Sequence, residues 1–323
     1  MNCKEKTRRE FLKVVAGSSL LMTLPISWGC PRTQRIAVSL VKDPDDSYTL
    51  KRALEMVDGL DFLKPGDSVF LKPAINSYNP FPATTSPLII SELIALLKDK
   101  GAGDIFVGDL SPFTQDTMYC MQQTGIYQAT IDGGAQIVEF EDEDMVHVKP
   151  ELAIHWPDGF SIPTLFNKVD HIIALPRLST HGLAGFSMGL KIFVGAIHFE
   201  KRIFMHMSSD FLKCIAEIAL CTDKIRLSIL DARQGFSHGG PDTGTLITPG
   251  IIMASKSLVA ADAVGLALLK TIGTAPSLMN TRVWDQPTIK RGVEVYSPSL
   301  SLATMDLRWE GIENIDDIKE QLV

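Results

Sequence analysis

Short apolar runs alternate with stretches of helical periodicity along most of this chain, and that alternation restricts the fold more than any other feature. Arg35 to Val41 reads as a strand, and Tyr48 to Val57 has helical spacing through Leu50, Ala53, Leu54 and Val57. Pro65-Gly66-Asp67 then turns the chain into the buried run Val69-Phe70-Leu71. Ser86-Pro87 opens a helix through Leu97, with proline at the first helical position, and Asp104 to Val107 is the next strand. Strand, helix and strand in repetition predict right-handed crossovers and parallel pairing. The expected class is α/β, a mostly parallel sheet with flanking helices, in one body or in two α/β lobes.

In open sheets of this kind ligands sit beyond the carboxyl ends of the strands. That rule points to Lys72, Asn76, Thr84, Thr85 and Asp109 as cofactor- or ligand-binding positions. Further along, Thr114 to Thr124 reads as helix, Gln136 to Phe140 as strand, Glu141 to Asp144 as a solvated acidic loop and Val146 to Phe160 as an antiparallel excursion. His171 to Leu175 is a buried strand. Ser208 or Ser209 caps a helix through Leu220, Leu227 to Leu230 is a strand ending in Asp231, and Gly235 to Gly244 is a Gly-rich lid or turn. Ile251 to Ala254 and Leu258 to Leu269 continue the alternation; Asp231 and Asp262 read as caps or buried hydrogen-bond partners. Nothing after Thr274 carries chemistry, so residues 31–274 form the expected α/β domain and 275–323 an extension packing on it.

The segment Leu175 to His206 most asks for a chemical explanation. It holds three of the seven histidines; His181 lies ten residues before Lys191 and His206 fifteen after it, with Gly182, Gly185, Gly189 and Gly195 between. Such glycines let a backbone turn tightly and approach a ligand. Lys191 sits inside Met-Gly-Leu-Lys-Ile-Phe-Val, where an ammonium is costly unless paired, neutralised or used covalently. Two readings stay open: a lysine whose long stem carries its charge to the surface, and a site that unites amine chemistry, proton transfer and metal ligation.

Leu-Pro-Arg-Leu-Ser-Thr-His-Gly (175–182), followed by Gly189-Leu190-Lys191 and a later histidine, resembles the domain-of-unknown-function 362 family over most of residues 68–270. Arg177 and Ser179 stand where that family prefers lysines, and Ile192 where it has asparagine. His181 to His206 is also similar to a segment of the nickel-dependent lactate racemase family. That resemblance implies a proton-transferring role for His181, a nickel-pincer nucleotide carried on Lys191 and nickel ligation by His206. Met188, Leu190 and Val194 replace that family's Gly, Arg and Pro, and its Gly-Thr-His-Arg-Pro turn finds Gly108-Asp109-Leu110-Ser111-Pro112 here.

Thr7-Arg8-Arg9-Glu10-Phe11-Leu12-Lys13 precedes a weakly apolar run from Val14 to Pro25, the pattern of a Tat export signal over residues 1–30, which implies the Tat translocase as a partner. The product is expected in the periplasm or cell envelope, soluble or lipid-anchored at Cys30. Beyond residue 30 the chain carries 26 basic and 36 acidic residues, a formal charge of −10, which argues against nucleic-acid binding. Only Cys120, Cys214 and Cys221 remain there, without a C-x-x-C pair or an iron–sulfur motif, so they read as core residues. With 45% hydrophobic and 21% charged residues the chain has ample core. The combined expectation is an exported α/β enzyme of racemase or oxidoreductase type, acting on a small anionic substrate with a bound metal or nucleotide cofactor. The alternative is a periplasmic anion-binding protein or an accessory to an exported redox partner.

Overall fold

A computed structural model describes residues 35–323, which form one compact unit; the expected export signal over residues 1–30, with Cys30, lies outside the described residues. Strands β1 (Ile36–Val41), β2 (Val69–Pro73), β3 (Ile105–Asp109), β4 (Gln136–Glu139) and β7 (His171–Leu175) correspond to the apolar runs of the sequence. β5 (Met145–Val148) and β6 (Phe160–Pro163) form the antiparallel excursion as a separate two-stranded sheet. The later strands are β8 (Arg177–His181), β9 (Gly185–Phe186), β10 (Ile225–His238), β11 (Thr245–Ile247), β12 (Ile251–Ser255) and β13 (Met305–Glu310).

The main sheet runs β13-β1-β12-β10-β7-β2-β3-β4; β8 and β11 pair with β10, and β9 with β8. β10, β7, β2, β3 and β4 pair in parallel, and so do β1 and β13; β12 is antiparallel to both β1 and β10. The sheet is therefore mostly parallel, with helices on both faces. Side chains alternate between these faces with the period of two that a strand imposes. Phe70, Ile172 and Ala174 enter one core with helices 211–218 and 258–272, while Val69, Leu71, Ile173 and Leu175 enter the other with helices 46–55 and 87–99. Both faces are covered, which is why these strands read as continuous apolar runs.

Local signals set the helix starts. Asp45 Oδ1 accepts from Tyr48 N at 3.1 Å, Asp116 Oδ1 from Tyr119 N at 2.6 Å and Ser257 Oγ from Ala260 N at 3.2 Å. The second of these places the expected 114–124 helix at 117–123, because Asp116 is the cap. The helix expected from Ser208 or Ser209 starts at Phe211, with Asp210 at the N-cap position and Ser208 Oγ bonding Asp210 N at 3.1 Å. Cys120, Cys214 and Cys221 are buried and free, and burial pushes the last thiol up to about 12.

The structure differs from the sequence expectation in two places. β10 runs on to His238, well past Asp231, because β8 and β11 both bond its distal half. Residues 275–323 also do more than pack against the domain: β13 completes the sheet beside β1, and Leu278, Val283, Ile289 and Met305 join the core.

Candidate functional site

β2 and β3 are adjacent and parallel; β2 carries Lys72 one residue before its end, and β3 ends in Asp109. Lys72 is fully buried, its Nζ donating to Pro73 O at 2.8 Å and to Asp109 Oδ1. Asp109 also accepts from Ile75 N at 2.7 Å and from Leu110 N at 2.9 Å. Burial pushes the lysine down and the carboxyl up, and their mutual attraction opposes both shifts. Gly195 closes over the pair: a Cβ there would overlap Asp109 Oδ1 and lie 3.0 Å from Lys72 Nζ, while its carbonyl accepts from Leu110 N at 3.0 Å. One neutralised ion pair thus joins two strand ends to the segment that carries Lys191.

Arg177 opens β8 just beyond the end of β7 and is buried to 2% exposure. Nε donates to Ala83 O at 2.6 Å, and Nη2 to Asn76 Oδ1 at 2.7 Å and Pro241 O at 3.5 Å; Nη1 has no hydrogen-bond partner among the described residues. Asn76 donates in turn to Asp242 Oδ1, and Asn79 Nδ2 to Asp242 O at 3.3 Å, so the 74–85 loop is tied to the 239–244 loop. Burial lowers the guanidinium to about 10 against the opposing pull of Asp242 and Asp109. Thr85 Oγ1 donates to Leu175 O at 2.7 Å and accepts from Ala74 N at 2.8 Å, and Thr84 Oγ1 donates to Asn79 O at 3.0 Å.

Lys191 lies on the short helix Gly189–Ile192, whose start is fixed by the buried Asp262: its two oxygens accept from Gly189 N at 2.7 Å and Leu190 N at 2.8 Å. Gly189 allows this approach, since a Cβ would lie 2.8 Å from Asp262 Oδ1. Asp262, raised to about 7 by burial, is a buried hydrogen-bond partner, one of the two readings the sequence left open. Lys191 itself is half-buried, and its Nζ has no hydrogen-bond or ion-pair partner among the described residues. Burial first, then the charges of Arg177 and Arg202, lower its pKa to about 8. Arg202 is held by backbone alone, donating to Ile197 O at 3.0 Å, Ser111 O at 2.9 Å and Leu110 O at 2.7 Å.

His181 ends β8, and its Nδ1 accepts from Leu183 N at 3.1 Å and Ala184 N at 3.2 Å. Those two bonds occupy the Nδ1 lone pair, so the ring proton resides on Nε2. Burial, then the charges of Lys191, Arg177 and His206, lower this histidine to about 3, and it is neutral at physiological pH. His206 is exposed on helix Phe199–Met207, its Nδ1 2.7 Å from the Arg202 carbonyl and its ring against Phe211. A carbonyl only accepts, so Nδ1 carries a proton. A pocket of about 420 Å³ adjoins this end of the sheet; Leu110, Ser111, Glu141 and His198 line it, and His181, Lys191 and Arg177 do not.

The residues marked out by sequence therefore divide into two sets. His181 feels the charges of Lys191, Arg177 and His206, and Lys191 those of Arg177 and Arg202, while His206 itself stands exposed on its own helix. Lys72, Thr84, Thr85 and Asp109 are buried in bonds that shape the loops, and Asn76 links Arg177 to Asp242. Arg177, Arg202 and Asp242 went unmarked. An arginine directly after a buried strand and Pro176 was the available signal for the first; the other two show themselves only in three dimensions.

Among the described residues no group of three or more His, Cys, Asp or Glu side chains could hold a metal ion. His206 offers one nitrogen without companions from the chain, so the donor set does not fit a metal held by protein side chains alone.

Known proteins give the following likenesses. The thylakoid-associated protein sll1697 of Synechocystis sp. is 27% identical over 227 residues, 66% of this chain and 67% of its own length. The solved lactate racemase apoprotein of Thermoanaerobacterium thermosaccharolyticum is 17% identical with a TM-score of 0.39, covering 64% of this chain, and the chain spans only 52% of that protein. The profile of a domain of unknown function, DUF362, matches residues 69–267, a span that includes both charged strand ends, Arg177, Lys191 and Asp262; the chain belongs to the DUF362 family.

Proposed function

We propose that the protein is an exported enzyme acting on a small organic carboxylate, with Lys191 as its chemically active group. One observation carries this reading. Arg177 Nη1, Lys191 Nζ and His181 Nε2–H are three donors at one edge of the sheet, and none has an acceptor among the described residues. None of the three is a fully buried atom, so water meets them in the free protein and a bound anion can take water's place with charge-assisted bonds. Lys72 adds no free charge, because Asp109 already neutralises it.

The roles follow from the bonds. Arg177 holds a carboxylate, its guanidinium fixed by Ala83 and Asn76. His181, with its Nδ1 lone pair occupied, acts as a neutral N–H donor to a substrate oxygen and not as the base that the racemase resemblance implied. Lys191, at about 8, is available both as cation and as amine. The finer reading, racemase-like or redox chemistry at the alpha carbon, rests on the spacing of His181, Lys191 and His206. A nickel-pincer nucleotide would find an amine without a protein partner at Lys191, but the described residues give its metal no protein cage.

For location, the thylakoid-associated relative supports a membrane-associated site of action, and no described helix is long and apolar enough to cross a membrane. Replacing Arg8 and Arg9 by Lys should leave precursor in the cytoplasm, read by fractionation. The site itself is tested by calorimetric titration with acetate, lactate, pyruvate and phosphate. Lys191→Met should weaken the best of these by roughly 10- to 100-fold, the loss of one charge-assisted hydrogen bond of about 1.5–3 kcal/mol. Equal affinity in a folded Lys191→Met protein sinks the reading. Anion binding without turnover of any small acid would favour the accessory-protein alternative.

A further inference from the structure

Three chain segments meet around the cavity of about 420 Å³ beyond the carboxyl ends of β3 and β4, where an open parallel sheet places its ligands. The first follows β3 and supplies Leu110, Ser111 and Phe113; the second follows β4 and supplies Phe140, Glu141 and Glu143; the third is the start of helix Phe199–Met207. Hydrogen bonds fix these walls. Arg202 ties its helix to Ser111 O at 2.9 Å and to Leu110 O at 2.7 Å. Thr117 Oγ1 accepts from Ser111 N at 2.9 Å and donates to Glu141 Oε1, which holds that carboxylate in place. The volume falls within the range of small-molecule sites, about 300–1,000 Å³.

The lining has one chemical character. Phe113, Phe140, Met145 and Phe199 form an apolar wall, and Phe113 and Phe199 are 82% and 44% exposed. Glu141 also lines an adjoining hollow of about 550 Å³ with Asp116, Glu139 and Asp142, and the two spaces share Phe113 and Gln115. No lysine or arginine lines either space. Burial first, then Glu141, Asp142 and Asp116, push the Glu139 carboxyl up, as acids without counter-ions should behave. The charge of Arg202 reaches Glu141, yet its side chain bonds backbone carbonyls and is not part of the lining. Among the described residues these carboxylates do not converge on a point that could hold a metal ion. Spread along an aromatic wall, they complement a larger cation, which gains charge-assisted bonds and the attraction of ring faces. An anion would be repelled, and a wholly apolar molecule would strip water from Glu141 and Glu143 without replacing it.

We propose that this cavity binds an organic amine, its apolar body among Phe113, Phe140, Met145 and Phe199 and its ammonium at Glu141. None of Arg177, His181 and Lys191 lines the cavity, so this site and the anion site stand or fall separately.

The experiment titrates the full chain by calorimetry with phenethylamine, with hydrocinnamate, which has a like body and the opposite charge, and with methylamine, which has the charge and almost no body. Phenethylamine should bind saturably at one site, about 10-fold or more tighter than methylamine, while hydrocinnamate should not compete with it. Glu141→Gln keeps an acceptor for Thr117 and should weaken phenethylamine roughly 10- to 100-fold. Phe199→Ala, at an exposed position, should weaken it by a smaller factor. Absence of saturable phenethylamine binding overturns the proposal. So does equal binding of methylamine, which would mean charge alone, or competition by hydrocinnamate, which would mean an apolar surface alone. Unchanged affinity in either folded variant overturns it as well. The three probes on the wild-type chain decide the matter by themselves if a variant does not fold.

Discussion

Lys191 illustrates how a site residue works against the stability of its own fold. Its pKa falls from 10.5 to about 8, first through burial and then through Arg177 and Arg202. Between those two values the unfolded chain keeps a proton that the folded chain has shed, so stability rises with pH across that window and the penalty is complete below it. Lys191→Met is therefore expected to raise stability at neutral pH, by on the order of 1–3 kcal/mol after allowance for partial exposure. The same change should flatten the rise between pH 8 and 10.5; urea melts on either side of pH 8 check both outcomes. Anion affinity should move the opposite way in the wild type, falling as pH passes 8 and the ammonium is lost.

Among the elements, the ends of β2 and β3 behave as a clasp. Asp109→Asn leaves the buried Lys72 ammonium without its counter-charge and should cost about 3–5 kcal/mol. Joint replacement, Lys72→Met with Asp109→Leu, should recover much of that loss and retain anion binding, since neither side chain is free to meet a ligand. Chemical melts of the single and double variants, with a titration of the double, decide this. The clasp is legible in the sequence as a location, since Asp109 closes β3 and Lys72 lies one residue inside the end of β2. Their role was not legible, because whether a lysine faces a ligand or a carboxylate depends on the register of two strands 37 residues apart. β8 escaped for a related reason. Arg-Leu-Ser-Thr-His alternates poorly, and it is a strand only because β10 and β9 supply its partners. The helices were easier to read, since the spacing of Leu50, Ala53 and Leu54 and the proline Pro87 at a helix start are local signals.

For the whole molecule, the sheet depends on its last segment. β13 covers the edge of β1 along six paired positions, from Ile36 with Met305 to Val41 with Glu310. A chain ended at Thr274 would bare that edge and lose Val283, Ile289 and Met305 from the core. It should fail to melt cooperatively, which circular dichroism would show. β10 has a different consequence. Its first half lies beside β7 deep in the sheet, its second half beside β8, and the register shifts between Asp231 and Gly235. One strand therefore spans two neighbourhoods that need not open together. Amide hydrogens near Leu227 and Ile229 should exchange only through global unfolding, while those near Gly235 and Phe236 should exchange through local opening of the β8 and β11 flaps. A ligand bridging Arg177 and Lys191 would pin β8, so saturating acid should slow the second group toward the first. Deuterium uptake along this single strand would then report occupancy of the site, even for a compound whose fate is unknown.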